Sequence, residues 1–162
     1  MNPISAEIVD ATWQEMAQLT PDKIPSLVDQ FGQKQPDMMV YLASAGEEVL
    51  NDYEREVLFY IGVVVWQMME KGETPLRQLS IDDIVEAENA NFSMLESFSR
   101  ESEGDMIAAT EKSFEAYHQP EVLRYVIEAI MEEDEENEMI SEEHKGLMLI
   151  FLKTVIDSFD AA

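Results

Sequence analysis

Helix caps and helix breakers divide this 162-residue chain into short segments, and this division restricts the fold more than any other feature. Thr20 before Pro21, and Asn51 three residues before Glu54, are residue pairs typical of helix starts, and Gly72 is typical of a helix end. Between such positions the apolar residues recur at helical spacing, and no segment alternates apolar and polar residues as a half-buried strand would. The sequence therefore predicts an all-α fold of about eight helices.

The longest apolar run, "VLFYIGVVVW" from Val57 to Trp66, predicts a helix buried inside the protein. A helix that crosses a bilayer needs about 20 apolar residues, which is roughly twice the length of this run. Apolar residues make up 46% of the chain, a share typical of globular proteins. A chain of this length buries about two thirds of its unfolded surface. We expect one compact domain over residues 1–162.

The two halves of the chain, residues 1–76 and 77–162, present similar sequence blocks in the same order. The middle blocks both open on a Gln-Pro pair, at Gln35 and Gln119, and helical composition alone does not produce such a pair. The aligned blocks are residues 7–19 with 83–95, 35–45 with 119–129, and 50–69 with 140–159. We interpret them as an internal duplication in which each half supplies four helices. A chance similarity between helices is the alternative.

The duplication predicts which residues occupy equivalent positions. Tyr41 is expected to superpose on Tyr125, and Asn51 on Ser141. The two most apolar helices lie in the last pair of blocks, and we expect them to meet at the centre because a helix that is apolar on nearly all sides has to be covered by other helices. A HEAT-like stack of helical hairpins is the alternative architecture.

The run "EEDEENE" at residues 132–138 places six carboxylates between the last two blocks of the second half. It could be a cation site, an attractant for a basic partner or a solvated loop. A calcium-binding EF-hand loop requires a glycine at its sixth position, and this run has none. Closely spaced like charges repel each other and favour an extended segment. We therefore predict a lengthened, solvated turn.

His118 follows Glu115 at the Glu-x-x-His spacing that di-iron carboxylate bundles use. Those bundles need the motif twice, and the second histidine, His144, has a serine at the corresponding position. We expect a local structural role for His144 beside Glu142 and Glu143. With no cysteine, no Gly-x-Ser-x-Gly turn and no phosphate-binding loop, we assign no catalytic, cofactor-binding or metal-binding residue. A metal-binding protein or enzyme that uses Glu115 and His118 is the alternative hypothesis.

A formal net charge of −25 sets the kind of partner that the chain can attract. Its negative field opposes direct binding to nucleic acid and to acidic lipid surfaces. The eleven methionines fill gaps in a core or form an adaptable apolar surface. We predict a non-enzymatic protein-interaction module whose partner has a basic or amphipathic surface. The N-terminus "MNPISAEIVD" lacks the features of a signal peptide, so we expect a cytoplasmic protein.

Overall fold

A computed structural model of the chain describes residues 1–99, 116–132 and 140–161. Within these ranges it contains seven α-helices and no strand, so the predicted all-α class is confirmed. One predicted helix falls on residues 100–115, outside the described ranges. The helices are α1 (Ala6–Ala17), α2 (Ile24–Lys34), α3 (Pro36–Ser44), α4 (Asp52–Glu70), α5 (Ile81–Ser99), α6 (Pro120–Met131) and α7 (Glu142–Asp160).

The predicted capping box at the start of α4 is confirmed. The Asn51 side chain accepts a hydrogen bond from the Glu54 N–H at 2.8 Å, and the Glu54 carboxylate accepts one from the Asn51 N–H at 3.0 Å. A corresponding pair of hydrogen bonds forms at the start of α5, where the Asp83 carboxylate accepts from the Ser80 N–H and the Ser80 hydroxyl accepts from the Asp83 N–H. Each box satisfies backbone donors that have no partner inside their helix.

The predicted start of α2 at Thr20 is wrong. The carbonyl of Thr20 accepts a hydrogen bond from the Lys23 N–H at 2.9 Å, which closes a turn over Thr20–Lys23. Pro21 occupies the second position of this turn, where its fixed φ is favourable. The helix begins only at Ile24, and Pro25 is the proline of its first turn.

The centre of the domain is formed by α4 and α7, which pack against each other as expected. Both helices bury large apolar side chains completely, among them Trp66 and Met68 on α4 and Phe159 on α7. Helix α3 approaches α4 closely at Gly62, where a Cβ atom would lie 2.5 Å from Leu42 Cδ1. None of the described helices is long and apolar enough to span a membrane.

The packing of the helices follows a paired pattern. Helix α1 packs on α4 as α5 packs on α7, and α3 packs on α4 as α6 packs on α7. Three further contacts connect the halves of the chain: α1 with α6, α3 with α5, and α4 with α6. In a linear repeat stack each unit touches only its neighbours. The contact between α1 and α6 therefore contradicts the alternative of a HEAT-like stack, and the helices form one compact domain.

Candidate functional site

An open apolar groove of about 510 Å³ lies between the end of α1, the first half of α2 and the outer face of α4. Its volume falls in the range of about 300 to 1,000 Å³ that is usual for ligand pockets. Apolar side chains of the three helices, and of Leu19 just after α1, form most of its wall; the helical ones include Met16, Leu27, Val28, Phe59 and Val63.

The groove exists because α2 is buried more deeply at its C-terminal end than at its N-terminal end. Near its C-terminal end, Phe31 is completely buried, with its ring 4.9 Å from that of Trp66 and 6.4 Å from that of Phe59. Near its N-terminal end, Ile24 lines the groove and stays 44% exposed. On α4, Tyr60 also lines the groove and is exposed. The N-terminal end of the apolar face of α2 is therefore only partly covered, since Ile24 is exposed and Leu27 and Val28 are half-buried.

Three charged side chains of α4 line the same groove: Asp52, Arg55 and Glu56. The two carboxylates are exposed, whereas Arg55 is half-buried. An Nη atom of Arg55 donates to the carbonyl of Ala43, at the end of α3, at 3.0 Å. Its buried Nε atom has no hydrogen-bond partner among the described residues. The groove thus contains a cation that is only partly hydrogen-bonded.

Methionine contributes little to this groove. Met38, Met68, Met69 and Met148 are completely buried in the core, and Met16 is the methionine that reaches the groove wall among the described residues. The described methionines therefore mostly fill the core, as expected from their flexible side chains.

A buried glutamine, Gln35, connects the first half of the chain to the second. Its side chain, which is 2% exposed, donates to the carbonyl of Arg77 at 2.9 Å and accepts from the N–H of Leu79 at 3.0 Å. Those two backbone groups belong to the segment that leads into α5. The amide of Gln35 thus satisfies a backbone carbonyl and a backbone N–H outside the helices.

Gln119 forms the corresponding contact in the opposite direction. Its side chain, 1% exposed, donates to the carbonyl of Asn2 at 3.1 Å and accepts from the N–H of Ile4 at 2.8 Å, in the segment that leads into α1. Both glutamines precede a first-turn proline and share an unusual backbone conformation, φ −136° and ψ 63° at Gln35 and φ −119° and ψ 63° at Gln119. Each half therefore holds the N-terminal segment of the other.

Glu54 lies between the N-termini of the two central helices and is fully buried. Besides its bond to Asn51, it accepts from the Ser141 N–H at 3.0 Å and from the His144 Nδ1 at 2.9 Å. Burial alone would raise the pKa of this carboxyl, but the hydrogen bonds from Asn51, His144 and Ser141 outweigh burial and lower the pKa below its ordinary value.

The expected local role of His144 beside Glu142 and Glu143 is therefore wrong. Its ring contacts a residue 90 positions away because the N-termini of α4 and α7 lie together. A signal was present in the sequence, since Glu54 and His144 occupy the same position in the last pair of aligned blocks.

A second polar network joins α5, α7 and the segment before α6. Lys153 Nζ donates to Asn91 Oδ1 at 2.6 Å and to Asp157 Oδ2 at 2.9 Å, and the Tyr117 hydroxyl donates to Asp157 Oδ1. Burial and the Asp157 carboxylate raise the pKa of Tyr117 far above its ordinary value. Because the charged groups of this network bond to one another, it holds these three parts of the chain together.

The two residues of the alternative metal-site hypothesis are only partly described. His118 is about half-exposed, and its Nδ1 lies 2.8 Å from Asp160 Oδ2. Glu115 lies outside the described residues, as does the acidic run beyond Glu132, so both of those predictions stay predictions. Within the described ranges, no group of three or more His, Asp or Glu side chains is arranged to hold a metal ion.

The groove combines an apolar wall, two exposed carboxylates and a partly bonded cation. Such a surface can bind an amphipathic group through apolar burial and charge. Comparison of the chain with protein-family models, with curated proteins and with solved structures gives no match, so its function has to be inferred from the residues and their arrangement.

Proposed function

We propose that this chain is a non-enzymatic interaction module that binds a basic, amphipathic segment of a partner protein. The groove between α1, α2 and α4 is its binding surface. The observation that carries the proposal is the partly uncovered N-terminal end of α2, where Ile24 is exposed and faces a groove that the exposed Tyr60 of α4 also lines. Apolar and aromatic side chains around a concavity are typical anchors of protein interfaces.

Charge determines the class of partner. The chain carries 35 acidic and 10 basic residues, and the exposed Asp52 and Glu56 lie in the groove itself. A segment with lysine or arginine beside its apolar anchors gains from this field during approach and binding. An amphipathic helix that lays its apolar face into a groove is a recurring way to make such a contact.

The test is affinity capture from a lysate by the wild-type chain and two single variants, at low and high salt. Ile24→Asp places a charge in the groove, whereas Val40→Asp places one on an exposed site, 63% accessible, that does not line the groove. We expect a partner that the wild type and Val40→Asp retain and Ile24→Asp loses. High salt should weaken this capture. Equal capture by all three chains, or no partner at either salt concentration, would contradict the proposal.

We also propose that residues 1–76 and 77–162 are two copies of one helical plan, related by an approximate two-fold axis. In a two-fold arrangement residue i of one copy contacts residue j of the other, and the reverse contact also occurs. The reciprocal bonds of Gln35 and Gln119 follow this rule, as do the paired helix contacts. Glu54 and His144, at equivalent positions, contact each other as residues beside an axis would.

These contacts also favour an alignment of the first pair of blocks that is shifted by one residue. Ser5 and Ser80 both precede a helix and both accept a bond from the N–H three residues later. Just before them, Ile4 and Leu79 are the buried residues that donate to the two glutamines. This register differs by one residue from the sequence alignment, which pairs Glu7 with Asp83.

A further inference from the structure

We propose, on the basis of the proposed function, that Arg55 recognises a side-chain carboxylate of the docked segment, and that basic residues flank this carboxylate on both sides. The partner would then carry three chemical features: apolar anchors for the groove wall, one Asp or Glu for Arg55, and neighbouring Lys or Arg for Asp52 and Glu56. The recognising element is a short stretch of α4 on the groove wall.

Arg55 lacks a carboxylate partner among the described residues, in a chain with a large excess of carboxylates. Most of the described basic residues form an ion pair with an acid of this chain, namely Lys34, Lys71, Arg77, Arg124, Lys145 and Lys153. Arg55 forms none with any described residue, although Asp52 and Glu56 are its neighbours on the same helix. Its hydrogen bond to Ala43 instead orients the guanidinium across the end of α3.

The guanidinium of Arg55 keeps unused hydrogen-bond donors where water has limited access. Arg55 is half-buried, its Nε is buried and has no partner among the described residues, and one Nη is bonded to Ala43. A partly bonded guanidinium in this setting is unfavourable, so an acceptor that reaches its remaining Nη hydrogens is favoured. A guanidinium binds a carboxylate or a phosphate through two parallel hydrogen bonds, and among unmodified side chains only Asp and Glu offer such a pair of acceptor oxygens.

The charges along α4 alternate in sign at the groove. Asp52, Arg55 and Glu56 present negative, positive and negative groups to the same groove. The complementary pattern is a carboxylate between two basic residues. A free carboxylate at a chain terminus has residues on one side only, so the pattern favours an Asp or Glu side chain within a segment.

The experiment is a selection from a displayed library of random 16-residue peptides. One selection uses the wild-type chain and a parallel one uses Arg55→Gln, and each pool is depleted of peptides that still bind Ile24→Asp. We expect wild-type binders to combine apolar residues with an Asp or Glu flanked by Lys or Arg. Binders of Arg55→Gln should keep the apolar and basic residues and lose the enrichment in acids.

A double-mutant cycle on one selected peptide measures the contact directly. Replacing its acid by the matching amide should weaken binding to the wild type about tenfold and leave binding to Arg55→Gln within about twofold, since close charge pairs across interfaces show coupling of at least this size. Arg55→Lys, which keeps the charge but not the paired donors, should restore only part of the preference. Thermal unfolding of each variant checks that the fold is intact.

The outcomes separate the two proposals. The role of Arg55 would be overturned if groove-dependent binders showed no enrichment in acids. It would also be overturned if replacing the peptide's acid by the amide weakened binding to Arg55→Gln as much as binding to the wild type. Either result would leave the interaction module in place. A selection that yields no binder sensitive to Ile24→Asp would overturn both.

Discussion

The buried carboxylate of Glu54 accepts a hydrogen bond from His144 Nδ1 at 2.9 Å, which joins the N-terminus of α4 to that of α7. The same carboxylate accepts the N–H groups of both N-cap residues, Asn51 and Ser141. One side chain therefore caps the two central helices of the domain, and removing its partners should affect the whole fold.

The two histidines provide a matched pair of variants for this contact. His144→Ala removes a hydrogen bond to a buried charge, and we expect it to lower the free energy of unfolding by about 2 to 3 kcal/mol. His118→Ala removes a hydrogen bond between a half-exposed imidazole and Asp160, and we expect a loss below about 1 kcal/mol. Urea denaturation of both variants measures the difference. Equal losses would show that the Glu54 contact has no special weight.

The lowered pKa of Glu54 predicts a pH dependence with a definite sign. A carboxyl whose pKa is lower in the folded state than its ordinary value of 4.5 stabilises the fold fully above that value, and the stabilisation is lost as pH falls through the folded-state pKa. We expect the stability difference between the wild type and Glu54→Gln to shrink as pH falls from about 6 to below 4. Comparing the two chains removes the contribution of the other acids. A difference that does not change with pH would contradict this assignment.

The two buried glutamines should contribute similar amounts to stability. Gln35→Ala and Gln119→Ala each leave a backbone carbonyl and a backbone N–H without their partner, at a cost of about 1 to 3 kcal/mol for each variant. Gln33→Ala, an exposed position two residues before Gln35, is the control and should change stability by less than about 0.5 kcal/mol. Thermal or urea unfolding tests all three. A large effect at one glutamine and none at the other would contradict the reciprocal arrangement.

Two helical glycines are predicted to respond to alanine with opposite signs. At Gly62 the new methyl would lie 2.5 Å from Leu42 Cδ1 in the packed core, so Gly62→Ala should destabilise the chain by about 1 to 3 kcal/mol. At the exposed Gly146 no described atom lies within 4 Å of the new methyl. Gly146→Ala should therefore stabilise the chain by about 0.5 to 1 kcal/mol through helix propensity. The melting temperatures of both variants test this, and a stabilising Gly62→Ala would disprove the close contact between α3 and α4.

Much of the secondary structure could be predicted because its causes are local. The capping box of Asn51 and Glu54 involves groups three residues apart, and the long apolar run of α4 identifies a buried helix by itself. The prediction at Thr20 failed because the same residue pair, Thr20 with Pro21, also suits a turn. In the folded chain Pro25 lies in the first turn of α2, so Thr20 and Pro21 form the turn that precedes the helix and not the helix start.

The candidate site could not be predicted in this way. The sequence drew attention to the methionines, to the acidic run and to Glu115 with His118, whereas the groove is lined mainly by ordinary aliphatic and aromatic residues. Nothing local distinguishes Arg55 from other basic residues on a helix. Arg55 stands out because no carboxylate among the described residues pairs with it and because it lies beside the apolar wall of the groove.

The helical class, most helix boundaries, the buried central helices and the acidic charge can be read from the amino-acid sequence, because these depend on side-chain chemistry and spacing within a few residues. Helix packing brings together the distant pairs Gln35 with Leu79, Gln119 with Ile4, and Glu54 with His144. It also buries α2 more deeply at its C-terminal end and leaves a groove near its N-terminal end. Such contacts join residues tens of positions apart, and their partners are defined only when the helices pack.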